Sequence, residues 1–198
     1  MHNKVINNIF IGFGLSLLIL GFLRVKLLLT NYYGSQALIL LFIIIALSFL
    51  IWSIIIVFKG SRLSRLDRFT PLITILVSLI AYNVLPLNAW YAQVENHYIS
   101  KQRNEAAQWA VNQSVSNDKA AHFLDLPSQY QNLSGSKSIR VINNNGQYLI
   151  EFFYYGMLDN YTAVYYVSDN NVDIIKEYFG IIVSKTKLED HWYFVVLS

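Results

Sequence analysis

Long uninterrupted apolar runs occupy the first half of the chain, and short alternating runs occupy the second half. A membrane-spanning helix needs about 20 mostly apolar residues, and three stretches meet this requirement: residues 5–29, 37–58 and 71–90. The second stretch carries no charge and is apolar on every helical face, unlike a helix at the surface of a soluble domain. The pattern therefore predicts a three-helix transmembrane region over residues 1–90.

Small residues, proline and aromatic residues refine these helices. Gly12 and Ser16 form a small-xxx-small pair, a spacing that allows another helix to approach closely. Pro71 suits the first turn of the third helix. Trp90 and Tyr91 at its far end are typical of the aromatic belt at a membrane interface.

The charges divide between the same two halves. Residues 1–90 hold seven Lys/Arg and one acidic residue, a net charge of +6, whereas residues 91–198 hold eight Lys/Arg and eleven Asp/Glu, a net charge of −3. The basic character thus belongs to the membrane half, and we expect no nucleic-acid partner. Four Lys/Arg lie in residues 59–68, and basic loops remain cytoplasmic. With three spans, this predicts a multi-pass protein of the plasma or inner membrane with a cytoplasmic N-terminus and an extracytoplasmic C-terminal domain.

Residues 91–198 read as an extracytoplasmic α+β domain. Strong helix formers without Gly or Pro predict a juxtamembrane helix over residues 89–115 with one apolar stripe that faces the domain. The stripe consists of Trp90, Val94, Tyr98, Glu105 and Trp109, with Ile99, Ala106 and Ala110 beside it. The strands lie within residues 137–198, after a polar stretch that is predicted to be a loop.

The strand signals are short apolar runs separated by turn residues. Asn145-Gly146 is a strong hairpin signal between two of these runs, and Gly180 ends a predicted short helix. The result is one juxtamembrane helix packed on an antiparallel sheet of about five strands. The predicted strands are SIRVIN, QYLIEFFYYG, YTAVYYVS, IIVSKTK and HWYFVVL.

Aromatic residues are concentrated in these strands. Alternation sends about half of them to each face of the sheet, so one set forms the core and the other either stabilises the sheet or remains exposed for a partner. Asp159-Asn160 favours a turn, with ligand contact as the alternative. The predicted interaction surface consists of Tyr154, Tyr155, Asp159, Asn160, Tyr161, Tyr166 and Trp192.

Chemistry-bearing motifs are sparse. The chain has no cysteine, which excludes disulfides and Cys-based zinc sites. Its histidines lack metal-ligand spacing, and it has no glycine-rich phosphate loop and no G-x-S-x-G sequence. We therefore predict no catalytic residue, cofactor or metal. A hydrolase that uses His97, or His191 with Ser184, is a minor alternative.

Two segments carry a resemblance. Gly156-Met157-Leu158-Asp159-Asn160-Tyr161 and Glu189-Asp190-His191-Trp192-Tyr193-Phe194-Val195 look like segments of uncharacterised bacterial membrane-anchored proteins with a C-terminal aromatic β-rich domain. The resemblance covers residues 124–198 and implies a bacterial source but no activity.

These observations predict an integral membrane protein whose water-facing domain has an interaction, accessory or assembly role. Its expected partners are the lipid bilayer and other membrane proteins or further copies of the chain. The alternative is a sensor or carrier domain that binds a small apolar or lipid-like ligand between helix and sheet.

Overall fold

The computed structural model describes residues 2–30, 32–59, 64–113, 121–157 and 160–198. The chain forms two compact units. The first comprises residues 1–27 and 31–88, and the second comprises residues 28–30 and 89–198.

Long helices form the first unit. They are α1 (His2–Thr30), α2 (Tyr32–Lys59) and α3 (Arg65–Val84). Two of them contain segments long and apolar enough to cross a membrane, Ile6–Leu23 in α1 and Leu40–Phe58 in α2. The count rises to three if α3 and the following helix are one broken span.

Both ends of α3 differ from the sequence prediction of a helix over residues 71–90. The helix begins six residues before Pro71, because Ser64 caps it by accepting a hydrogen bond from the Asp67 N–H at 3.2 Å. It ends at Val84 because the next residue, Leu85, precedes Pro86 and adopts an extended backbone.

A seam of small residues joins α1 to α3. A Cβ added at Gly14 would lie 2.4 Å from Ser78 Oγ, and one added at Gly21 would lie 2.8 Å from the Tyr82 ring. Nothing lies within 4 Å of a Cβ built on Gly12, the glycine of the predicted small-xxx-small pair. The close helix approach therefore uses glycines seven residues apart, two helical turns on one face.

The second unit is an α+β domain. Its helices are α4 (Leu87–Gln113) and α5 (Ile174–Phe179), and a 3-10 helix spans Ser128–Leu133. The described strands form one antiparallel sheet in the order β1-β2-β3-β4-β6-β5. Their bounds are β1 (His122–Asp125), β2 (Ser138–Asn144), β3 (Gln147–Met157), β4 (Asn160–Val167), β5 (Ile182–Glu189) and β6 (Trp192–Leu197).

The sheet has six described strands instead of the predicted five. The additional strand is β1, which lies in the stretch predicted to be a loop. It contains four residues and pairs with β2 from His122↔Val141 to Asp125↔Ser138. Its pairing depends on a strand that forms later in the chain, so its own sequence gives no clear signal.

Helices cover both faces of the sheet. On one face, α5 packs on Leu149, Tyr165, Tyr193 and their neighbours. On the other, Tyr154 and Trp192 form hydrogen bonds to α4. The short helix α5, which the sequence predicts before Gly180, therefore lies on the face of the sheet opposite α4.

Local turn chemistry agrees with the sequence prediction. Asn145 and Gly146 connect β2 to β3 with φ values of 54° and 86°. Both values lie in the left-handed region, as a two-residue hairpin turn requires. Gly180 ends α5 with a φ of 117°.

Candidate binding site at the junction of α4 and the sheet

The buried face of α4 matches the predicted apolar stripe only in part: Ala106 and Ala110 are buried, but the first three residues of the stripe are not. Trp90, Val94 and Tyr98 are 43%, 49% and 78% exposed, whereas Asn96 and Arg103 are 5% and 0% exposed. The alanines at positions 92, 106, 107 and 110 are buried as well, and Arg103 and Asn104 bond Tyr154 and Trp192 of the sheet. Alanine lets the helix approach closely, and a long polar side chain can then reach partners on the sheet.

A hydrogen-bonded network surrounds Arg103. Its guanidinium donates to Glu95 Oε2 and to Asn96 Oδ1, each at 2.8 Å. It also contacts the Tyr154 hydroxyl, which in turn donates to the Glu95 carboxylate. Tyr91 donates to the other oxygen of the same carboxylate at 2.8 Å. The network therefore connects three turns of α4 to β3.

Burial changes the electrostatics of this network. It lowers the pKa of Arg103 to about 10, although the Glu95 carboxylate opposes the shift. Arg103 consequently remains charged near neutral pH. Breaking a buried charge pair strands the remaining charge, so such a network favours one position of helix on sheet.

A cleft of about 360 Å³ opens beside this network, between the second half of α4 and β4. Three of its lining residues carry side-chain amides at four-residue spacing along α4. No charged side chain lines it among the described residues. The lining consists of Asn104, Ala107, Gln108, Val111, Asn112 and Tyr166.

The aromatic wall of the cleft is held from two sides. The Tyr166 ring lies 5.4 Å from the Trp192 ring and 5.8 Å from the His191 ring, measured between centroids. Trp192 is fixed by a hydrogen bond from its Nε1 to Asn104 Oδ1 at 2.7 Å. His191 Nδ1 lies 3.1 Å from the Val167 carbonyl oxygen, which holds its ring in place. The cleft is thus organised before any ligand arrives.

A second polar cluster lies on the α5 face. Arg140 pairs with Glu151 Oε2 at 2.7 Å, and the Tyr165 hydroxyl donates to Glu151 Oε1 at 2.6 Å. Burial raises the pKa of Tyr165 and also that of Tyr161, whose hydroxyl lies 3.3 Å from the Tyr165 hydroxyl. Arg140 and Glu151 also line a groove of about 220 Å³, together with Phe123 and Phe153.

The predicted interaction surface does not form one patch. Tyr154 and Trp192 are each 1% exposed, so neither lies on a surface, and both contact α4 instead. Half-buried Tyr166 lines the cleft, and half-buried Tyr161 lies on the other face, near Phe153. Tyr155 is half-buried beside the β3 bulge. Asp159 lies outside the described residues, as does the side chain of Asn160.

Sequence reasoning missed the cleft amides and Arg103. The available signal is Ala107, which together with Ala106 and Ala110 beside the predicted stripe completes a run of small residues. Small residues at helical spacing mark the side of a helix that packs closely, and the residues that flank that side then become candidates.

The residues of the hydrolase alternative lie apart. Ser184 pairs with Val196, whereas His191 lies at the turn before Trp192. The ladder between Trp192 and Val196 spans about 13 Å, at roughly 3.3 Å per residue. His97 is on the exposed side of α4. Among the described residues, no three His, Asp or Glu side chains are grouped to hold a metal ion.

No family model, curated protein or solved structure matches this chain. The geometry of the site therefore carries the functional argument.

Proposed function

We propose that this chain is a membrane-anchored, non-enzymatic interaction protein of the accessory type. Three spans hold it in the plasma or inner membrane: α1, α2 and α3. The N-terminus is cytoplasmic, and the α+β domain lies on the opposite side. The basic loop of residues 59–68 supports this orientation.

Exposed apolar surface supports the anchoring. One side of α2 carries exposed large apolar side chains, and those at Leu40, Ile43, Leu47 and Ile51 are each more than half exposed. Water would penalise this surface heavily, whereas lipid tails and neighbouring helices solvate it.

The domain binds an uncharged, extended segment of a partner protein in the cleft between α4 and β4. The observation that carries this proposal is the run of amides at Asn104, Gln108 and Asn112 opposite the braced Tyr166 ring. A side-chain amide presents both donors and an acceptor, and so complements a peptide main chain without selecting for charge. Tyrosine is enriched at protein interfaces.

The spacing of the amides fits such a segment. Residues four apart on a helix are separated by about 6 Å along its axis. In an extended peptide, every second residue repeats at roughly 6.6 Å. Gln108 and Asn112 can therefore contact successive main-chain groups on one edge of an extended strand, whereas Asn104 already bonds Trp192 and Glu189.

Cavity chemistry disfavours the apolar-ligand alternative. The cleft exceeds 300 Å³ but is lined by amides. The apolar cavity among Leu17, Ala46, Leu79 and their neighbours in the helical unit measures about 150 Å³, less than the usual volume of a ligand pocket.

Photo-cross-linking in intact membranes tests the proposed site. A photoreactive amino acid replaces Gln108 in the cleft, and a matched control replaces Glu105, which is also exposed on α4. We expect a heterologous adduct at several-fold higher yield from position 108, reduced by Tyr166→Ala. Equal yields would contradict the proposal, and an adduct containing only a second copy of this chain would show self-association instead.

A further inference from the structure

The exposed stripe at the start of α4 needs a cover that the domain does not supply. Trp90, Val94 and Tyr98 recur every four residues and are 43%, 49% and 78% exposed. At 3.6 residues per turn they lie on the side of α4 roughly opposite Asn96 and Arg103, which face the sheet. The stripe is therefore separate from the domain core.

The chain itself keeps this stripe near the bilayer. Only Leu85 and Pro86 separate α3 from α4, and Trp90 follows the last residue of α3 by six positions. Even a fully extended connection of six residues reaches no more than about 22 Å. Because Leu85 is extended, the helical ladder is interrupted, and α4 need not continue along the axis of α3.

The composition of the stripe suits the membrane–water interface. Tryptophan and tyrosine concentrate at the level of the lipid headgroups, and Val94 between them adds an apolar contact. Lys101 continues on the same side of the helix, exposed, where its stem can lie along the apolar layer and its ammonium among phosphates. The aromatic and apolar side chains on its exposed side would let this part of the helix lie in the interface plane.

We infer that the first three turns of α4 lie along the outer bilayer surface, with Trp90, Val94 and Tyr98 inserted among the headgroups. The occupant of the stripe is thus a lipid surface. This contact would orient the domain on the membrane, with the sheet on the side of α4 that faces away from the bilayer.

Spin labels measure this geometry directly, because the chain has no native cysteine. The full-length protein is placed in vesicles of phosphatidylcholine and phosphatidylglycerol, with single cysteines at positions 90, 94 or 98. Controls are Gln93→Cys on the flank of the helix and Ser184→Cys on β5, both exposed positions. Accessibility to oxygen and to a water-soluble nickel complex gives the depth of each label.

We expect the three stripe positions to lie at the same depth within a few Å, with Gln93→Cys and Ser184→Cys in water. A helix that rises straight from the membrane would instead shift the label outward by about 12 Å between positions 90 and 98, at 1.5 Å per residue. That steady shift, or full access of the nickel complex to position 98, would overturn the inference.

A label at Ile43 of α2, which is 51% exposed, separates this inference from the proposed anchoring. Lipid exposure at Ile43 combined with water exposure at Tyr98 would contradict only the interfacial contact of α4. Water exposure at both positions would contradict the anchoring as well.

Discussion

Arg103 is the residue on which the position of α4 depends most. It is 0% exposed and bonds partners from its own helix and from β3. Its buried charge is compensated by Glu95, whose side chain is 17% exposed. Burial removes water from both charges, and this desolvation offsets much of their attraction. The pair therefore contributes more to fixing the position of α4 on the sheet than to net stability.

Replacement of this arginine should destabilise the domain strongly. We expect Arg103→Met to lower the free energy of unfolding by about 3 kcal/mol, because Glu95 and Tyr154 lose their buried cationic partner. Denaturant unfolding of the detergent-solubilised protein, followed by tryptophan fluorescence, measures the change. The matched control is Lys101→Met on the exposed side of α4, for which we expect a change within about 0.5 kcal/mol. Similar losses in both variants would argue against a special role for Arg103.

Tyr165 makes the free energy of unfolding decrease as the pH rises above 10. Burial raises its pKa above the ordinary value of 10.0, with the Glu151 carboxylate adding to the shift. The folded state therefore holds a proton that the unfolded state releases above pH 10. Its stabilising contribution is complete below pH 10 and declines as the pH rises further.

We accordingly expect Tyr165→Phe to reduce the loss of stability per pH unit above pH 10 by about 1.4 kcal/mol, the equivalent of one proton. Tyr161 acts in the same direction, whereas Arg103, with its lowered pKa, acts in the opposite direction. Unfolding free energies measured between pH 9 and 11 provide the slopes. Tyr148→Phe, half-buried on the same strand as Glu151, is the control, and an unchanged slope in Tyr165→Phe would refute the assignment.

Among the elements, α1 and α3 are joined by steric fit. Lipid tails are as apolar as leucine, so helices in a bilayer associate through close packing instead of hydrophobic exclusion. Gly14 faces Ser78, and Phe10 and Leu17 on the same side of α1 are 0% and 5% exposed. Polar side chains within these helices bond their own backbone, as Ser16 does with the Gly12 carbonyl.

The two glycines of α1 offer a matched pair of substitutions. We expect Gly14→Leu to destabilise the helical unit by about 1–3 kcal/mol, because the new side chain must displace Ser78 or separate the helices. Gly12→Leu should be neutral or slightly stabilising, since its Cβ meets open space and leucine is a better helix former. Thermal unfolding in a single detergent compares them. A larger loss for Gly12→Leu would be inconsistent with the seam.

At the scale of the whole molecule, the two units differ in where their large apolar side chains lie. Its exposed large apolar residues lie mainly on α1, α2 and α3, whereas the sheet buries its apolar residues between α4 and α5. The same hydrophobic effect thus produces an outward apolar surface in one unit and an inward core in the other.

The proposed orientation can be tested with two conservative substitutions in the cysteine-free chain. Ser64→Cys lies at the basic loop and Ser184→Cys lies on β5, both at exposed positions. We expect a membrane-impermeant maleimide to label Ser184→Cys in intact cells and Ser64→Cys only after permeabilisation. The reverse pattern would invert the topology while leaving the fold unchanged.

The sequence by itself determined the features that depend on neighbouring residues. An uncharged run such as Leu40–Phe58 forms a helix long and apolar enough to cross a membrane, because every face of it is apolar. Asn145-Gly146 selects its turn because these residues tolerate positive φ. The α+β class follows from such local signals added along the chain.

Only the tertiary structure decided which residues are buried where distant segments meet. Hydropathy favoured Trp90 and Tyr98 over Arg103 for the face of α4 that meets the sheet, yet Arg103 is buried there because Tyr154, 51 residues later, completes its network. Strand β1 and the cleft at Tyr166 likewise require partners remote in sequence. A polar group can be buried only where its hydrogen-bond partners converge, and that convergence is a property of the folded chain.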